Sequence, residues 1–183
     1  MDNLHRIKVV YHMVPKGFEG NRLYPLSQLK ALNPEVAAEH ARKYADRKAL
    51  LERQIPALNC LWNDVLMFSP VHPAEIMQTF RNAGYDLKPK RFFEIPLTLF
   101  EPKLTAVYFH SKQREFGDHT IDPDEFAMLS DVDFEPLTIL GNKLTRHIEQ
   151  SKKDGRSPIM FGNVPHILYK GTVFTDQFAI IEV

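Results

Sequence analysis

Eight histidines are spread over the 183 residues: His5, His12, His40, His72, His110, His119, His147 and His166. No two stand at the short spacing with which zinc enzymes gather ligands on one element, so no metal is expected. His12, His72, His110 and His166 each fall where a strand pattern begins or ends, the places where mixed folds collect active-site groups. An imidazole that titrates near neutrality suits acid–base work or hydroxyl recognition there; a capped or solvent-facing ring fits the same positions. Nucleophile chemistry finds less support. There is no Gly-x-Ser-x-Gly elbow, and the single cysteine lies in Leu58-Asn59-Cys60-Leu61-Trp62, apolar surroundings that raise a thiol pKa and mark a core residue. Neither Gly-x-Gly-x-x-Gly nor a Walker loop occurs, which disfavours the classical dinucleotide and nucleoside-triphosphate folds.

Several elements must position these side chains. Arg6-Ile7-Lys8-Val9-Val10-Tyr11-His12 alternates and is β-branched, so a first strand is expected to end at His12, with Pro15, Gly17 and Gly20 marking a loop behind it. Asn33-Pro34 opens a helix whose face of Val36, His40, Tyr44, Leu50 and Leu51 runs to Arg53. Residues 62–68 read as a buried strand broken by Ser69-Pro70-Val71-His72-Pro73, after which a short helix starts near Pro73 and stops at Gly84. Strand pieces follow at 91–95, 97–100 and 105–110. Residues 118–135 carry seven acids and no Lys or Arg, without the alternating ligands and central glycine of an EF-hand loop. Asp122-Pro123-Asp124-Glu125 is expected to open a short capped helix. Leu137, Leu140, Leu144 and Ile148 form a helical stripe ending at Gly155, and strands are expected at 159–161, 166–174 and 177–183. The order of elements predicts an α+β fold: a mixed, mostly antiparallel sheet core with three to four flanking helices.

Composition bounds the partners. At 21.2 kDa, with 44% hydrophobic and 25% charged residues, the chain has the size and balance of a single globular domain spanning 1–183. Lys plus Arg and Asp plus Glu are 23 each, so no global field draws it to nucleic acid or anionic lipid. Asp2, Arg6 and Lys8 interrupt the first fourteen residues, and no apolar run approaches the ~18 residues of a membrane span. One cysteine cannot form an internal disulfide. A cytoplasmic protein that avoids membranes is expected.

The first strand ending Tyr11-His12, the helical segment after it, the stretch Asn63-Asp64-Val65-Leu66-Met67-Phe68-Ser69-Pro70-Val71-His72-Pro73, and late strands containing Asn163-Val164-Pro165 together resemble the DarT-like ADP-ribosyltransferases. The resemblance implies a fold in which a histidine at the end of the first strand holds the nicotinamide ribose of NAD. NAD is then the expected substrate and His12 the ribose anchor, and the expected product is an ADP-ribosylated nucleic acid or protein. Arg22 is expected at the pyrophosphate, with Arg156 as the alternative, because guanidinium meets phosphate in bidentate fashion. Tyr24, Tyr108 and Tyr169 are candidates to stack on nicotinamide, and His72 occupies the turn where those toxins carry an arginine. The sequence departs from the family where the catalytic acid should stand, reading Pro158-Ile159-Met160-Phe161-Gly162. Glu182, the one acid in an expected late strand, is therefore the expected catalytic carboxylate beside His12.

Two alternatives come from the same residues. The missing acid near Met160 suits a non-catalytic member that binds a nucleotide or a partner. Two helical faces, 42–53 and 143–156, each carry an excess of three positive charges and suit a nucleic-acid-binding protein.

Overall fold

The computed structural model describes residues 8–42, 44–45, 48–112 and 120–183. His5, His119, Lys43, Asp46, Arg47 and Asp118 lie outside them. The chain runs β1 (Val9–Met13), β2 (Arg22–Leu23), α1 (Leu26–Leu32), α2 (Pro34–Arg42), β3 (Gln54–Ile55), β4 (Cys60–Leu61), β5 (Leu66–Phe68) and α3 (Pro73–Asn82). It continues through β6 (Arg91–Pro96), β7 (Thr105–Tyr108), β8 (Phe126–Met128), α4 (Asn142–Lys153), β9 (His166–Tyr169), β10 (Val173–Phe174) and β11 (Ala179–Glu182), with 3-10 turns between many of these. The architecture is mixed α+β with an antiparallel sheet core and four α-helices among the described residues.

Two sheets matter most. One has the order β1-β6-β11 and the other β5-β9-β7-β8, with every pairing antiparallel. They meet at one isolated bridge, where Tyr11 and Ser69 exchange backbone hydrogen bonds of 2.8 and 2.9 Å. Side chains alternate across a strand, so each sheet buries two faces. Val10, Phe93 and Ile95 from the first sheet join Leu66, Phe68, Val107 and Ile167 from the second in one apolar cluster. On the other face Ala106, Tyr108 and Leu168 pack with Trp62, while α3 and α4 close a third cluster through Ile76, Phe80, Leu144 and Ile148.

Helix α3 shows how local chemistry sets boundaries. His72 caps it, Nδ1 accepting from the Ala74 amide at 3.1 Å, and Pro73 occupies the first turn, where its missing N–H costs nothing. At the other end Gly84 adopts φ 87°, Gly84 N–H bonds the Arg81 carbonyl at 2.9 Å and Tyr85 N–H the Phe80 carbonyl at 3.1 Å. Those two bonds close a Schellman motif, and the Phe80 and Tyr85 rings, 5.7 Å apart, supply its apolar contact.

Several expectations are corrected. The helix opened by Asn33 stops at Arg42, and a 3-10 turn at Lys48–Glu52 brings Leu50 and Leu51 onto the Trp62 cluster, a direction that a straight helix would not take. Strand β5 begins only at Leu66, because Trp62–Asp64 winds into a 3-10 turn with Asp64 accepting from the Leu61 amide at 2.9 Å. Leu97–Leu99 is likewise a 3-10 turn following Pro96, and residues 159–161 form turns rather than a strand. Helix α4 starts at Asn142, so Leu137 and Leu140 precede it. His12 lies inside β1 rather than at its end.

Candidate functional site

The seam between the sheets closes for one residue pair only. Continuing the Tyr11–Ser69 register would set Met13 against Met67, yet His12 Nδ1 lies 2.9 Å from the Met67 carbonyl oxygen instead. A carbonyl only accepts, so this bond places the proton on Nδ1 and makes Nε2 the accepting nitrogen of the neutral ring. The imidazole thus supplies a donor where the backbone ladder has ended. Its ring packs against Phe68, centroids 5.3 Å apart, and is partly exposed.

The turn after β5 returns to the same seam. Ser69 Oγ accepts from Val71 N–H at 3.1 Å and donates to the Val71 carbonyl at 3.0 Å, which folds the chain back. His72 then sets its ring edge-to-face on Tyr11 at 4.9 Å. Alternation along β1 puts Tyr11 and His12 on opposite faces, so His12 and His72 flank the seam from its two sides. Glu94, half-buried on β6 and opposite Tyr11 in register, shares the His72 face; the sequence offered no signal that singled it out.

The other expected site residues are more dispersed. Arg22, on β2, rides on the ring of Phe174, its guanidinium carbon 3.9 Å from the centroid. Phe174 also lines a shallow groove of about 330 Å³ with Leu99, Phe100, Val173, Phe178 and Asp176. Tyr24 is half-buried just after β2. Tyr108 is 5% exposed, stacked on Phe126 at 4.8 Å and edge-on to Trp62 at 5.6 Å, so neighbouring rings occupy it. Tyr169 stacks on Phe100 at 4.8 Å. Glu182 is exposed on the outer strand β11, opposite Arg91, with β6 between it and β1. Arg156 pairs with Asp154. In the basic stretch 143–156, Lys143 and Lys152 also bond backbone carbonyls, which engages three of its five cations. Cys60 is buried, and burial pushes its thiol up, in keeping with a core thiol.

A second group, whose association the sequence does not reveal, forms where β7 and β9 end. His110 Nε2 lies 3.1 Å from His166 Nδ1, and that same Nδ1 lies 2.9 Å from the Val164 carbonyl. His110 has φ 48°, a left-handed conformation that costs a non-glycine residue of order 1 kcal/mol. The surroundings hold it there. Lys143 Nζ donates to the carbonyls of His110 and Ser111 at 2.9 and 2.8 Å. The fully buried Glu125 accepts from Lys112 N–H at 3.0 Å and Ser111 Oγ at 3.3 Å. Glu125, read in the sequence as one of a run of acids, is thus an internal anchor for the turn after β7.

Burial drives the His166 pKa down to about 4, with the Val164 carbonyl opposing part of the fall. His147, whose Nε2 accepts from Ile159 N–H at 3.1 Å, is also lowered, first by burial and then by Arg156. A depressed histidine pKa leaves the folded chain with fewer protons than the unfolded one. The stability tied to the neutral His166 ring is therefore complete above the ordinary value of 6.5 and is lost as pH falls through that window toward about 4. Urea unfolding across this window is expected to show the midpoint falling with acid, and His166→Gln to flatten the dependence.

Among the described residues no group of three His, Cys, Asp or Glu side chains could hold a metal ion, and no helix is long and apolar enough to cross a membrane. No protein-family model matches this chain, and neither does any curated protein or solved structure. What fold and site define is an α+β protein with a split antiparallel sheet, an imidazole bonded across the split and a pair of imidazoles at the neighbouring strand ends.

Proposed function

We propose that this chain is an NAD-consuming, ADP-ribosyltransferase-like protein that transfers ADP-ribose to a nucleic-acid or protein acceptor. One observation carries the reading: His12 sits where two sheets part, its Nδ1–H committed to the Met67 carbonyl and Nε2 fixed as an acceptor. A partly exposed imidazole held by the backbone where two sheets part is a group that a ribose hydroxyl can meet by hydrogen bonding. Arg22 supports the same reading. Its guanidinium carbon lies 3.9 Å from the centroid of the Phe174 ring, and a guanidinium can meet a pyrophosphate in bidentate fashion. NAD is substrate here, and its chemistry is loss of nicotinamide from the ribose carbon that accepts the incoming nucleophile.

The position of Glu182 favours a second reading, a non-catalytic NAD- or ADP-ribose-binding member of the same fold. An exposed carboxylate on the outer strand, two strands from His12, is poorly placed for acid–base work at a ribose held by that ring. Titration of NAD into isotope-labelled protein, with nicotinamide release followed in the same tube, separates the two. Chemical-shift changes along β1 and β5 with release are expected; changes without release support the binding reading, and no change at millimolar NAD excludes both.

A further inference from the structure

We propose that this chain self-associates through the outer edge of β11, two copies pairing that strand antiparallel about a two-fold axis at Ile181. The proposal is independent of the NAD reading and names a partner, a second copy of this chain.

Hydrogen-bond parity shows which groups β11 holds out. Lys90 and Val183 exchange both backbone bonds, at 2.9 and 3.0 Å, just past the end of the strand. Bonded and non-bonded pairs alternate along an antiparallel ladder, so Phe92–Ile181 and Glu94–Ala179 are bonded pairs as well. The neighbouring residue of β6 obeys the same alternation on its other side, where the Arg91 carbonyl accepts from Val14 N–H at 2.9 Å. Ile180 and Glu182 therefore turn their N–H and C=O groups away from β6. β11 is the outer strand of its sheet, and no other described strand pairs with it. Edge strands are ordinarily guarded by lysine, proline, a bulge or a covering loop. Along Ala179-Ile180-Ile181-Glu182-Val183 the only charged side chain is Glu182, no lysine or proline stands there, and Ile180 is 49% exposed.

The residues of the strand select both the register and the occupant. With the axis at Ile181, the outward N–H and C=O of Ile180 meet the C=O and N–H of Glu182 in the second copy, and symmetry supplies the reverse pair. Glu182 then lies beside an isoleucine rather than another carboxylate, and Arg91, opposite Glu182 on β6, balances its charge from within the chain. The other face is apolar throughout. Ile181 meets Ile181, Ala179 meets Val183, and the row runs on into Phe92, which is fully buried opposite Ile181. Moving the axis loses these features. Placed at Ile180 it needs the Phe178 N–H, which is already given to the Thr175 carbonyl at 3.2 Å. Placed at Glu182 it sets that carboxylate against its own copy. In one register, then, β11 is its own complement.

The test uses the full-length chain. Sedimentation equilibrium from ~5 µM to ~1 mM is expected to show a monomer–dimer equilibrium with a Kd of ~10–500 µM, as befits a small contact. A monomer throughout that range overturns the proposal. Over the same concentrations amide exchange is expected to slow at Ile180 and Glu182 and to stay constant at Ile181 and Val183, which already bond β6. Protection that grows elsewhere and not at those two amides puts the contact on another surface and overturns it too. The exposed Ile180 side chain reads the register. Ile180→Glu sets a carboxylate against Glu182 of the second copy, twice over by symmetry, and Ile180→Lys sets an ammonium there. The Glu variant is expected to associate at least ~5-fold more weakly than the Lys variant at low salt, a gap that narrows as salt is raised. Equal Kd values for the two overturn the pairing at Ile181. Ile180→Pro removes an outward N–H and no bond to β6, so it is expected to abolish dimerisation; a dimer that persists in it overturns the proposal.

Discussion

His12→Ala is expected to weaken NAD binding ~10–100-fold, and the NAD-dependent shifts along β1 and β5 are expected to vanish at concentrations that saturate the wild type. The variant removes two things at once: the acceptor at Nε2 and the donor that satisfies the Met67 carbonyl at 2.9 Å. The second loss costs stability of about 0.5–1.5 kcal/mol, since one net hydrogen bond disappears from a half-buried seam. His12→Asn separates the two. Its amide N–H can still reach the Met67 carbonyl, so its unfolding midpoint is expected to recover toward the wild-type value while its NAD affinity stays low. The measurement is a titration beside a urea melt for each variant. NAD affinity unchanged in His12→Ala would remove the ring from the site.

Phe68→Ala is expected to destabilise the fold by about 3–5 kcal/mol, the cost of emptying a large aromatic site in a core that cannot collapse around it. The side chain is 1% exposed and lies 4.8 Å from the Phe100 ring and 5.3 Å from His12, so it fills the space behind the seam from both sheets. Against a total stability of about 5–15 kcal/mol this is a large fraction, and a fall in Tm of roughly 6–20 °C follows for a chain of this size. Phe174→Ala makes the internal control, because that ring is 53% exposed and its loss is expected to cost under about 1 kcal/mol. Equal melting points for the two variants would mean that the sheets are not joined over Phe68. The experiment also bears on function, since a loosened seam would misdirect His12 without altering its chemistry.

Much of the local structure is legible in the residues themselves. The alternation through Val9, Val10 and Tyr11 becomes β1, the Pro73 start and Gly84 stop become the ends of α3, and Arg91-Phe92-Phe93-Glu94-Ile95 becomes β6. Each signal acts within a few residues: a cap satisfying an orphan amide, a proline fixing φ, a glycine accepting a left-handed turn. Helix α1 carries no side-chain cap and buries none of its residues, which explains why Leu26–Leu32 gives little pattern to read. The late break in the helix begun at Asn33 was also hidden, because Tyr44, Leu50 and Leu51 satisfy a helical face on paper while tertiary packing draws them to Trp62.

The candidate site divides the same way. That His110 and His166 stand close to strand ends could be read from position, and so could the turn that places His72 beside Pro73, whereas His12 lies inside β1. Which of them meet could not. His110 and His166 are 56 residues apart, His12 and Met67 55, and Arg22 finds Phe174 from the far end of the chain. The seven acids of 118–135 look alike in the sequence, yet Glu125 is fully buried and holds the turn that carries His110.

By itself, then, the sequence determined an α+β chain of neutral charge, the run of its best-marked strands and helices, and the residue types available for chemistry. The tertiary structure decided the pairing of β1 with β6 and of β5 with β9, the single bridge at Tyr11 and Ser69, and hence which ring faces the seam. The physical reason is range. Propensity, capping and alternation are local terms written in neighbouring residues, whereas strand pairing and burial depend on contacts between distant segments, whose gain appears only once the intervening chain has been ordered.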